Sequence, residues 1–346
     1  MTIDGRKLKI LQAIIHNYIT NAEPIGSRTI SKRYNLGVSP ATIRNEMSDL
    51  EELGFLLQPH TSAGRIPSNK AYRLYVNKLT EEQNLTKEKL NNLDKKMLKE
   101  IGRVEELIEN SASILSKLTN YTSLAIAPQL KLSNIKHIQL VPVDDLRVLL
   151  VIVTDSGIVK NTILRLDNIV SNDQLNIISN LLTEKLKGKM IGGIGKILEK
   201  DITNNMYEYK DILESLVSTI NNSFSNIDEI ESYSNGITKI FNFPEYNDIE
   251  KAKSFISFIQ NKENVIDMLL NKDIEDMNNL GIYIGEENMY DEIKNCSLIT
   301  ATYRVNGRII GKIGVIGPTR MEYSKVIPVV QRLSLDLSNI LKRYFE

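Results

Sequence analysis

The stretch VSPATIRNEMSDLEELGFLLQPHTSAGRIPS, residues 38–68, decides how the chain is read. Ser39 suits a helix cap, and Pro40 suits the first helical position, where its missing N–H leaves no bond unmade. At about 100° per residue, Ile43, Met47, Leu50 and Leu53 fall on one side of the helix. Ala41, Thr42, Arg44, Asn45, Ser48 and Asp49 fall on the other. That polar side carries short hydrogen-bonding groups and a small Ala instead of the usual Lys and Glu. Arg matches guanine or a phosphate, Asn pairs bidentately with adenine, and Thr or Ala meets a thymine methyl. The helix N-terminus also favours a phosphate. A merely solvated face is the plain alternative for any such helix. The residues on its C-terminal side tip the balance. Gly54 ends the helix, and Phe55–Pro59 and Arg65–Pro67 read as two short strands. Between them, Thr61-Ser62-Ala63-Gly64 has no bulky tip, and Arg65 stands at its base, which suits a loop laid along a groove or backbone.

Upstream, residues 6–22 place Leu8, Ile10, Leu11, Ile14, Ile15 and Tyr18 on one stripe at helical spacing. Glu23-Pro24-Ile25-Gly26 breaks that helix. Ser27 caps a second short one, RTISKRY, which Asn35-Leu36-Gly37 ends. Downstream, Ser68 caps a fourth helix with Tyr72, Tyr75, Val76 and Leu79 on its buried side. Helix, helix, turn, helix, hairpin, helix is the winged helix-turn-helix order. The candidate DNA contacts are then Ser27, Arg28 and Thr29 on the second helix and Ser39, Ala41, Thr42, Arg44, Asn45 and Ser48 on the third. His60, Ser62, Gly64 and Arg65 supply the wing. Arg28, Arg44 and Arg65 would hold the backbone, and Thr42, Asn45 and Ser48 would face bases; His60 either touches a phosphate or only shapes the turn. Charge agrees with this assignment. The 346 residues carry 43 Lys/Arg and 43 Asp/Glu, yet residues 1–79 hold eleven of the former and six of the latter. A basic head on an acidic remainder is what a polyanion partner asks for.

Residues 80–120 are charged, with Leu90, Leu93, Met97, Ile101, Val104, Ile108 and Leu115 at alternating steps of three and four, which predicts a long helix with one packing seam. A connector lying on the next domain and a self-association helix are both open. Beyond, strands are expected at Ser123–Ala127, Lys136–Val143, Arg147–Val153, Ile158–Leu166, Ile237–Phe241, Gly281–Ile284, Ser297–Val305 and Arg308–Ile316. Asp144-Asp145, Asp155-Ser156-Gly157 and Asn306-Gly307 supply hairpin turns. Helices are expected near 171–187, 207–225 and 319–343. Strands split by a helical block predict one antiparallel α+β sensor-type domain with an insertion over about 168–228.

Several chemistries are excluded. The single cysteine, Cys296, rules out an internal disulfide framework and fits a reducing cytoplasm. No apolar run approaches the roughly 20 residues of a membrane span, and the start MTIDGRKLKI has no apolar signal region. His16, His60 and His137 form no zinc spacing; His16, on or beside the first helix's buried stripe, reads as a structural histidine. Gly192-Gly193-Ile194-Gly195-Lys196 lacks P-loop spacing and its Ser/Thr, and no Gly-x-Ser-x-Gly elbow is present. Gly307, Gly311, Gly314 and Gly317 are explained by a hairpin turn and close backbone packing. No catalytic constellation, metal or cofactor is expected, and the chain reads as a non-enzyme.

PIGSRTISKRYNLGVSPATIRNEMSDLEELGFLLQPHTSAGRIPSNKAYRLYV, residues 24–76, resembles the N-terminal signature of the HrcA family of heat-inducible transcription repressors; GRIIGKIGVIGPTRMEY, residues 307–323, fits more weakly. The resemblance implies an α+β multidomain fold: a winged helix-turn-helix over 1–79, a helical linker over 80–120, and a GAF-like domain over 121–346 interrupted by an inserted dimerising domain at about 168–228. It implies a cytoplasmic homodimer on double-stranded DNA, at the CIRCE inverted repeat upstream of groE- and dnaK-type chaperone operons. It also implies release under heat stress and activity maintained by the GroE chaperonin. A ligand-gated winged-helix repressor of other operons is the alternative, and a metabolite that alters DNA affinity would favour it. A nonspecific architectural DNA binder would be basic throughout, which this chain is not.

Overall fold

A computed structural model of the chain describes residues 3–60, 63–83, 104–126, 134–155, 159–191, 230–270, 279–305 and 307–345. It is a mixture of helix and sheet that divides into two units, one of residues 1–126, 232–303 and 312–336 and the other of 127–231, 304–311 and 337–346.

The first unit opens with α1 (Gly5–Asn21), capped by Asp4, whose carboxylate accepts from the Arg6 and Lys7 N–H groups at 2.9 and 2.8 Å. Ile10, Leu11, Ala13, Ile14 and Ile15 form its buried stripe. His16 departs from expectation: it is exposed, and Asn17 is the polar residue that the stripe carries inward. In α2 (Ser27–Arg33) the cap is Gly26, whose carbonyl accepts from the Ile30 N–H; Ser27 is the first helical residue and makes no capping bond. α3 (Pro40–Glu52) starts as expected, with the Ser39 hydroxyl accepting from the Thr42 N–H at 3.1 Å. β1 (Leu56–Leu57) and β2 (Ile66–Pro67) pair antiparallel, Leu56 opposite Pro67. α4 (Asn69–Gln83) follows, burying Ala71, Tyr72 and Val76. Next described is α5 (Val104–Thr119), which buries Val104, Leu107, Ile108, Ala112 and Leu115, and then β3 (Thr122–Ile126). The seam residues Leu90, Leu93, Met97 and Ile101 lie outside the described residues.

The second unit holds β4 (Ile135–Pro142), β5 (Arg147–Thr154), β6 (Val159–Arg165) and α6 (Asn172–Leu186). The strands form their own antiparallel sheet in the order β4-β5-β6. Ile138, Leu140, Val148, Leu150, Ile152 and Leu164 are buried; α6 packs on β4. Hydroxyls of α6 also bond β4's outer edge: Thr183 accepts from the Ile138 N–H at 3.0 Å and donates to its carbonyl at 2.9 Å, and Ser179 accepts from the Leu140 N–H. Lys189 and Gly188 continue that seal at Ile135. Ser156-Gly157, Gly192–Lys196 and the helix expected at 207–225 lie outside the described residues.

The first unit resumes with β7 (Ser232–Asn235), α7 (Ile249–Gln260), α8 (Lys262–Leu270), β8 (Leu280–Ile284), β9 (Cys296–Val305), β10 (Arg308–Pro318) and α9 (Tyr323–Phe345), the last three running on into the second unit's residues. Its sheet has the order β7-β3-β10-β9-β8 and carries α5 against β3 and β7. Two further expectations fail. The strands at 135–165 do not join the later ones but form the separate sheet, because alternating burial marks a strand without naming its partner. Residues 237–241 are not a strand but part of a 3-10 turn, Ile237–Asn242, entered through Gly236 at φ +71°. The strand is the polar SYSN before it. β9 and β10 are joined through Gly307 at φ +79°, with Asn306 outside the described residues. Gly314 packs as expected: a Cβ there would stand 2.4 Å from the Ile299 carbonyl oxygen.

Candidate nucleic-acid interface

The polar face of α3 is presented by what lies beneath it. Ile43, Met47 and Leu50 are buried against α1 and α2. Two acidic residues on the same helix then fix its rotation on α1: the Lys7 ammonium lies 2.8 Å from Glu46 and 3.0 Å from Asp49. The hydrogen bonds that Lys7 donates to those carboxylates, Glu46 first, hold it protonated well above the ordinary lysine range. At the C-terminal end, Lys70 donates to the Leu53 carbonyl at 2.9 Å, a cation on the orphan acceptors of a helix terminus. α3 is therefore held at its middle and at its C-terminal end, and the opposite side is left to solvent.

On that side Ala41, Arg44, Asn45 and Ser48 are exposed together. Thr42 is half-buried, its hydroxyl 2.9 Å from that of Ser39, so these two serve the cap as well as the face. Arg28 and Thr29 are exposed on α2, and Ser27 is half-buried at its start. The hairpin residues differ in kind. His60 is exposed and Ser62 lies outside the described residues. Gly64 meets the backbone of Ile25 so closely that a Cβ would stand 2.5 Å from its carbonyl carbon. Arg65 exchanges backbone hydrogen bonds with Ile25 at 2.9 and 3.1 Å and turns its guanidinium to Glu51 at 2.7 Å. Gly64 and Arg65 thus tie the hairpin to the segment between α1 and α2.

Two groups stand out among the head's cations. Lys7, Arg65 and Arg73 have carboxylate partners within 3 Å. Arg28, Lys32, Arg33 and Arg44 are exposed, all on α2 and α3, and make no ion pair among the described residues. Lys9 on α1 and Lys70 and Lys78 on α4 make no ion pair among the described residues either, but Lys70 is bonded to the Leu53 carbonyl and Lys78 is half-buried. Unpaired positive charge is thus concentrated on the two helices whose polar sides carry the short hydrogen-bonding groups. Reading from sequence left out Lys32 and Arg33; their position in the last turn of a helix already credited with Arg28 was the available signal.

Comparison with known proteins places this geometry. Residues 105–327 match the family model described as HrcA protein C terminal domain. The chain is 44% identical over 343 residues to the heat-inducible transcription repressor HrcA of Alkaliphilus metalliredigens, covering 99% of each. It is 45% identical to the protein of that name from Clostridioides difficile, over 97% of this chain and 98% of that one. These relatives are named as repressors, a regulatory and non-enzymatic role. Among solved structures, a hypothetical protein at 2.2 Å resolution superposes with a TM-score of 0.69 at 22% identity, over 99% of this chain and all of that one, which speaks to the fold alone.

Proposed function

The chain belongs to the HrcA family of heat-inducible transcription repressors, and from that premise we propose that it binds the CIRCE inverted repeat as a homodimer and represses groE- and dnaK-type chaperone operons. The head is a winged helix-turn-helix. α3 enters the major groove, with Asn45, Thr42 and Ser48 toward the bases and Arg44 on the phosphates. Arg28, Ser27 and Thr29 hold the backbone from α2, and Ser39 and Ala41 allow the start of α3 to approach closely. The hairpin lies along the backbone as the wing, with His60 and Ser62 toward the DNA and with Gly64 and Arg65 tying it to the head. The observation that carries this reading is the gathering of unpaired Arg28, Lys32, Arg33 and Arg44 on α2 and α3 while the head's arginines at 65 and 73 are neutralised internally.

In place of the expected block at about 168–228, we assign the inserted dimerising domain to the second unit's three-stranded sheet with α6, and the GAF-like body to the five-stranded sheet with α5. Supporting the latter, Val141, Val159 and Ile163 are exposed, and Val141 and Ile163 both stand opposite Leu149 in the strand register. An apolar row on a solvent face marks an interaction surface. Control runs through folding: GroE maintains the active pool in the cytoplasm, and misfolded protein in heat draws the chaperonin away. Such control needs only a small stability change, because folded populations respond steeply to it.

The test is a titration of the purified chain against a CIRCE-type repeat and a scrambled duplex at two salt concentrations, with and without chaperonin. Selective binding that tightens at low salt, with a competent fraction that rises on adding chaperonin, is expected. Equal binding to both duplexes with chaperonin present would overturn the operator reading.

A further inference from the structure

The head is not merely joined to the body of the first unit but clamped to it at two separated points. From α4, Arg73 donates its Nε to Glu287 Oε1 at 2.8 Å and Nη2 to the Ile282 carbonyl at 2.7 Å, with a second, closer contact to Glu287 Oε2. Glu287 stands in the 3-10 turn that follows β8. Between β10 and α9, the buried Arg320 grips Glu245 with Nε and Nη2 and reaches back to the head, donating Nη1 to the Ile19 carbonyl at 2.9 Å. Ile19 is in the last turn of α1, where carbonyls lack helical partners and a cation is favoured. Between the clamps Tyr72 packs on Tyr323 with ring centroids 5.9 Å apart.

A single contact would let the head pivot. Two guanidinium contacts on different helices of the head, the bidentate grip from Arg73 on α4 and the single bond from Arg320 to the end of α1, with an aromatic pair between, oppose rotation about either. The direction of α3 is thereby set by the body, since α3 is fixed on α1 by Lys7 and linked to α4 by Lys70.

We propose that Arg73 and Arg320 are positioning residues for operator recognition: by holding each head in one direction they set the spacing between half-sites that the dimer accepts. This rests on the reading of the chain as a dimer on an inverted repeat. Each base pair added between half-sites moves them apart by about 3.4 Å and turns them by about 34°. A clamped head cannot follow that displacement, whereas a head on a free tether can.

Arg73 is the better of the two to alter, because it is partly exposed whereas Arg320 is buried and its loss would strand Glu245. Native chain, Arg73→Ala and Arg73→Lys are titrated against a single half-site and inverted repeats whose spacer runs from two base pairs short to two long, with thermal melts for each. The native chain should lose about tenfold or more at the extreme spacers, and Arg73→Ala less than about threefold, with half-site affinity unchanged. Arg73→Lys, which keeps the charge but not the fork, should fall between, and it carries the test if Arg73→Ala melts early. A profile as sharp as native in both variants, or an equal loss at every spacer and on the half-site, would overturn the inference while leaving the repressor reading intact. A native chain that does not distinguish the repeat from a scrambled duplex would overturn both.

Discussion

Substituting Arg44 tests whether the unpaired cations meet phosphate. Arg44 is exposed on α3 with no carboxylate partner among the described residues, so its charge is available to DNA. The proposed dimer carries two copies, and each phosphate neutralised adds about 0.9 to the slope of log affinity against log salt. Arg44→Ala should therefore flatten that slope by about 1.8. Over a fourfold rise in salt, from about 50 to about 200 mM, the native protein should lose about twelvefold more affinity than the variant. Arg65→Ala is the internal control. Its guanidinium is already spent on Glu51 at 2.7 Å, so the slope should stay within a few tenths of native even if the hairpin weakens. Fluorescence anisotropy on a labelled inverted repeat at three or more salt concentrations measures both. If Arg65→Ala flattens the slope as much as Arg44→Ala, or if Arg44→Ala leaves it unchanged, the division of cations into spent and available is wrong.

Asn45→Ala should cost about 1–3 kcal/mol against the preferred operator and relax preference at one base position, read by competition with single-base variants; a uniform loss across sequences would make Asn45 a backbone contact. Gly64→Ala should destabilise the head by about 1–3 kcal/mol in chemical denaturation, because the new methyl meets the Ile25 backbone, which cannot yield as a flexible side chain would. Cys296 is fully buried, and burial pushes its thiol up to about 12. The unfolded chain gives up that proton near its ordinary value of about 8.5. The resulting stability is complete below that pH and is lost as pH rises from there toward about 12. A Cys296→Ser comparison should show a gentler alkaline decline, and native thiol alkylation at pH 8 should proceed only at the rate of unfolding.

Reading from sequence reached furthest where a local pattern carries the structure. Ser39, Pro40 and the Ile43, Met47, Leu50 spacing are all local, and α3 stands where they place it. Ile237–Phe241 misled because Ile, Thr and Phe favour strands, yet Gly236 in the left-handed region starts a 3-10 turn, and the real strand, SYSN, is too polar to signal itself. α7 was legible but unread: Ala252, Phe255, Phe258 and Ile259 repeat at helical spacing and are buried. The spent cations were out of reach. Arg65 pairs across 14 residues and Arg73 across 214, and no local pattern announces a partner at such distances. For the same reason composition located the basic head but not which of its charges remain free for a ligand.

The hydroxyls of Thr183 and Ser179 along β4 bear on how the second unit's sheet behaves in a crowded, heated cell. A sheet with two open edges can add strands from neighbour after neighbour, which is how fibres grow. Here one margin is already saturated by the unit's own helix, leaving only β6 without a strand beyond it among the described residues. A sheet with a single open margin is a chain terminator: two such sheets meeting edge to edge exhaust each other and growth through them stops at a pair. For a member of a family named for heat-inducible repression, that valence of one in the second unit's sheet limits what a partly loosened population can become.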